Sequence, residues 1–68
     1  MNSFLTNNTM NIQKTVKDIA RNNPKEFEVI VEQINEVSED YNFKPVKTVS
    51  QVIYFCENCE IGEEFLLS

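Results

Sequence analysis

Residues 48–62, TVSQVIYFCENCEIG, admit two regular conformations, and the choice between them separates an all-α domain from an α+β one. For a helix, Thr48 and Gln51 form a T-x-x-Q capping box, in which a hydroxyl and a side-chain amide satisfy backbone groups left open at a helix start. Val49, Val52, Ile53, Cys56 and Cys59 then keep three- and four-residue spacing up to Gly62, a natural stop. For a strand, residues 52–56 are a compact β-branched and aromatic run, VIYFC, able to pair with residues 45–49 or 65–67. The cap favours the first reading: an all-α, three-helix domain behind a flexible N-terminal arm. The alternative is two helices with a small C-terminal antiparallel sheet.

Upstream lies the clearest helix in the chain. Asn23 caps it, Pro24 suits the first helical position, and Glu26 stands where a capping-box partner belongs. Phe27, Ile30, Val31, Ile34, Val37 and Tyr41 recur at three- and four-residue steps, Asn42 is a C-terminal stop, and Pro45 bars continuation. Further upstream, Ile12, Val16, Ile19 and Ala20 predict a helix from residue 9 or 11 to residue 22, with Lys14, Lys17 and Arg21 on its opposite face. Residues 1–8 lack periodicity and read as a flexible arm, from which Phe4 and Leu5 could still dock on the core. Residues 9–68 form a single small helical domain. At the other end, Phe65, Leu66 and Leu67 are too apolar to stand in water, so this tail closes the core or meets a partner.

A chain of 68 residues is one domain at most. It hides only about 60% of the surface its unfolded form exposes, so a staple or a dimer interface would add needed stability. With 41% hydrophobic and 25% charged residues it is ordinary globular material. No apolar run reaches the length of a membrane span and the N-terminus lacks a signal peptide's pattern, so the expected location is cytoplasmic, with no membrane partner. Nine asparagines against one arginine and one glycine suggest an AT-rich coding sequence, as in many small phage and mobile-element genes.

Histidine is absent, which removes the usual general base and the commonest metal ligand. No serine or threonine sits in a nucleophile elbow, and a single glycine makes no phosphate-cradling loop. The expectation is a protein that is not an enzyme and carries no cofactor. Cys56-Glu57-Asn58-Cys59 is one C-x-x-C pair without a second pair to complete a zinc site. On the helical reading it lies near a helix C-terminus beside acidic residues, where thiol pKa rises, whereas redox pairs favour N-termini. The thiols are therefore read as structural, with Cys56 in the core, Cys59 tolerant of replacement by serine, and no metal within one chain. Zinc or a disulfide shared between two chains, and redox chemistry, are the other readings.

Net charge is −5, unevenly distributed. Residues 1–25 sum to +3, residues 26–42 to −6 and the remainder to −2. Glu28, Glu32, Glu36 and Glu39 fall on one face of the second helix, continued by Asp40, as an acidic ridge. Successive carboxylates about 6 Å apart approximate the phosphate spacing of a nucleic-acid strand, so the ridge suits a basic groove. A helix-turn-helix regulator would pair the second and third helices, but residues 42–47 make a long turn without glycine, and Ser50, Gln51, Tyr54 and Glu57 on the reading helix include no base. Direct nucleic-acid binding is thus disfavoured. Tyr54, Phe55, Phe65, Leu66 and Leu67 form an expected apolar patch for a homodimer or a partner. Together these features point to a small acidic protein-binding module, a phage or mobile-element inhibitor that occupies the basic surface of a host nucleic-acid-handling or defence protein. A small transcriptional regulator and a dimeric scaffold module are the alternatives.

Overall fold

Three capped helices follow one another in the computed structural model, which describes residues 11–67. The arm read at residues 1–8 lies outside the described residues. Helix α1 spans Ile12–Asn22, and the side-chain oxygen of its cap, Asn11, accepts from the Lys14 N–H at 3.0 Å. Helix α2, Pro24–Val37, begins after one intervening residue. That residue, Asn23, serves both helices: its N–H donates to Ile19 O at 2.8 Å, closing α1, while its Oδ1 accepts from the Glu26 N–H at 3.3 Å, opening α2. Because the Asn23 N–H is already engaged, Glu26 has no donor there to complete a capping box.

Helix α3 spans Val49–Asn58 and resolves the ambiguity of residues 48–62 in favour of a helix. Thr48 Oγ1 accepts from the Gln51 N–H at 3.2 Å, and Gln51 Oε1 accepts from the N–H groups of Thr48 at 3.1 Å and Lys47 at 2.7 Å. Burial follows the same period. Val52, Phe55, Cys56 and Cys59 are buried while Tyr54 is 60% exposed. A strand would have put Tyr54 on one face with Val52 and Cys56. Among the described residues there is no strand, so the domain is all-α.

Both helix ends differ from the sequence reading in detail. The last turn of α2 tightens into a 3₁₀ turn, Ser38–Tyr41, closed by Asn42 in the left-handed region (φ 63°) with the Phe43 N–H donating back to Ser38 O at 2.9 Å. The tightening turns Tyr41 off the core stripe and into solvent. Helix α3 stops at Asn58, whose Nδ2 donates to Tyr54 O at 2.8 Å, with extended Cys59 as its cap. Gly62 lies beyond, opening a second 3₁₀ turn, Gly62–Phe65. It is needed there for room rather than for φ: a Cβ would stand 2.5 Å from Cys56 Cα and 2.6 Å from Cys56 O.

Helix α1 packs on both α2 and α3, and the C-terminal turn packs on α3 and reaches α2. Val16, Ile30, Ile34, Val46, Val52, Phe55, Cys56, Cys59 and Leu66 make the core. Phe55 is its hub, fully buried, with Phe43 edge-on at 5.0 Å between ring centres and Phe65 edge-on at 5.9 Å. The loop from α2 to α3 has no ladder to satisfy its backbone. Asn35 of α2 supplies the partners instead: Oδ1 accepts from the Val46 N–H at 2.7 Å, and Nδ2 donates to Val46 O at 3.0 Å.

Two substitutions test this packing by chemical denaturation. Asn35→Ala leaves both backbone groups of buried Val46 without partners and costs about 2–3 kcal/mol. Gly62→Ala drives a methyl into the Cys56 backbone and costs about 1–3 kcal/mol. Exposed Gln13→Ala, the control, stays within about 0.5 kcal/mol. Either variant matching the control would show that its contact is absent.

Candidate functional site

The five carboxylates of the expected acidic ridge divide between α2 and the 3₁₀ turn that follows it. Glu28, Glu32 and Glu36 on α2, and Glu39 and Asp40 in the 3₁₀ turn, are all exposed. Among the described residues the ion pair is Lys14–Asp18, at 2.9 Å on α1, so none of the five ridge carboxylates has an ion-pair partner. Lys47 shares a shallow depression with Phe27, Glu28, Val31 and Glu32 without reaching salt-bridge distance. Like charges at i, i+4 cost a few tenths of a kcal/mol each. The helix carries that cost through its buried face, Ile30 and Ile34.

The expected apolar patch is not one surface. Phe55 and Leu66 belong to the core, which corrects their assignment to an exposed patch. The physical reason is spacing: Phe55 lies three residues after Val52 and four before Cys59, on the buried stripe, while the C-terminal turn folds Leu66 back beneath α3. What remains is divided between two recesses. Tyr54 lines a groove of about 630 Å³ with Tyr41, Phe43, Pro45 and Gln51, where Phe43 meets Tyr54 edge-on at 6.2 Å. Leu67 and Phe65 line a separate cleft of about 530 Å³ against α2, with Val29, Ile30, Gln33 and Val37 opposite and Glu26, Glu36 and Glu64 around it. Val29, although apolar, is 49% exposed. Leu67 across the cleft reads in the sequence as too apolar to stand in water, but its pairing with α2 is not legible there, because the return of the tail leaves no periodic signal.

Both cysteines are free thiols and both are buried. Cys56 takes its expected core position; Cys59, expected to tolerate change, is only 7% exposed and packs in the same cluster. Burial, followed by the charges of Cys59, Glu57 and Glu63, pushes the Cys56 thiol up to about 11. At neutral pH it is protonated, a weak nucleophile and a poor ligand. Among the described residues no three of Cys, Asp and Glu converge as a metal-binding group. No helix there is long and apolar enough to cross a membrane.

The raised thiol pKa has a signed consequence. The folded state holds the Cys56 proton more tightly than the unfolded chain, so its contribution to stability is complete below the ordinary value of 9.0 and is lost as pH rises towards about 11. Denaturation between these pH values should give a steeper fall for the native chain than for Cys56→Ala, while equal slopes would place the thiol in water. Searches against family models, curated proteins and solved structures return no match to this chain.

Proposed function

We propose that this chain is a protein-binding module of phage or mobile-element origin that inhibits a nucleic-acid-handling or defence protein by occupying its basic surface. The observation that carries the reading is the set of five exposed carboxylates on α2 and its 3₁₀ extension that have no ion-pair partner among the described residues. A helical face repeating charge about every 6 Å offers a Lys/Arg-lined groove what a phosphate backbone offers it. Charge of this kind acts on association rate and partner choice, and it weakens with salt.

The alternative classes draw less support. As a reading helix α3 presents Ser50, Gln51, Tyr54 and Glu57 to solvent without a base, and Lys14 on the basic face of α1 is already engaged by Asp18. A dimeric scaffold loses Phe55 and Leu66 from its proposed interface, since both lie in the core.

The reading is tested with immobilised chain in a nuclease-treated lysate of cells that carry the gene. A basic nucleic-acid-handling protein should be retained, be eluted by added duplex or by salt, and be retained at least about tenfold less by Glu28→Lys/Glu32→Lys. Both positions are exposed, so far-UV dichroism should not change. Equal retention by the variant would reduce the ridge to a solvated face, and a partner lost on nuclease treatment would be tethered through nucleic acid.

A further inference from the structure

The cleft between α2 and the C-terminal turn combines an aliphatic lining with an acidic surround. Val29 is 49% exposed and Leu67 59%, and neither carries a polar side-chain atom to explain its place in water. Phe65 lies beside them, and Glu26, Glu36 and Glu64 also line the recess. No lysine or arginine lines it.

We infer that this cleft receives an apolar side chain flanked by lysine or arginine on the protein partner. The inference rests on the proposed function and deepens it, because Glu36 belongs both to the ridge and to the cleft. Charge selects the occupant. A second copy docked cleft to cleft would bring the same three carboxylates against themselves. A wholly polar basic segment would satisfy the glutamates and leave Val29 and Leu67 wet. An amphipathic basic segment satisfies both, with its apolar residue as the anchor and its cations on the surrounding carboxylates. The ridge then steers the partner and the cleft fixes its register.

The probes are two synthetic lysine-rich peptides of equal length and charge, one with leucines at helical spacing between the lysines and one with serines in their place. Both are titrated against the full chain by calorimetry at about 150 mM salt. The leucine peptide should bind at least about tenfold more tightly than the serine peptide. Val29→Ser/Leu67→Ser, which changes only exposed side chains, should abolish this preference and leave the serine peptide's affinity unaltered. Equal binding of the two peptides by the native chain, or a preference that survives the double substitution, overturns the inference. Failure of the ridge reads separately: serine-peptide affinity unchanged by Glu28→Lys/Glu32→Lys would remove the electrostatic reading whatever the leucine preference.

Discussion

Two hydrogen bonds made by one side chain fix the loop that joins the two halves of this domain. The segment between the 3₁₀ turn and α3 forms neither helix nor sheet, yet it buries Val46. A buried peptide group without partners costs about as much as a good core contact supplies. Asn35 removes that cost on both sides, accepting from the Val46 N–H and donating to its carbonyl. With the loop so fixed, Phe43 meets Phe55, and Thr48 begins α3 two residues later. The aromatic groove forms where this loop meets α3.

The parts legible in the sequence are those governed by short-range chemistry. Asn11, Asn23 with Pro24, and Thr48 with Gln51 start helices by local hydrogen bonds, and their signatures lie within four residues. The exposure of Glu28, Glu32 and Glu36 follows from helical period, whereas Glu39 and Asp40 lie in the 3₁₀ turn beyond it. What escaped depends on contacts distant in sequence. Asn35 reads as one more polar residue on a helix, since its partner is eleven positions away. Which residue of the tail at 65–67 closes the core, and the spatial need for Gly62, are decided only when the chain beyond α3 folds back onto Cys56. Tyr41 left the predicted stripe because a 3₁₀ turn advances about 120° per residue in place of 100°.

That return also alters the balance between inside and outside. The sequence displays more large apolar residues than three short helices can cover, which argued for self-association. Wrapping the tail encloses Leu66 and half-buries Phe65, while the loop half-buries Phe43. The residual aliphatic surface collects at Val29 and Leu67 beside carboxylates rather than across a broad neutral face. An obligate dimer interface resembles a core cut in half, whereas small apolar spots with charged rims suit exchangeable partners.

Asn23 bears on how the chain reaches this state. A single residue joins α1 to α2, so the two helices meet after almost no loop closure, and their shared cap forms with the first turn of one and the last turn of the other. Contacts of such short sequence separation form on the microsecond scale, ahead of those that bring Val46 to Asn35 or Phe65 to Phe55. The α1–α2 pair is therefore the part of the domain whose closure costs the least chain entropy, and α2 carries three of the ridge carboxylates. Repulsion among Glu28, Glu32 and Glu36 acts within α2 and is screened by salt, whereas the burial of Phe55 across the domain is not.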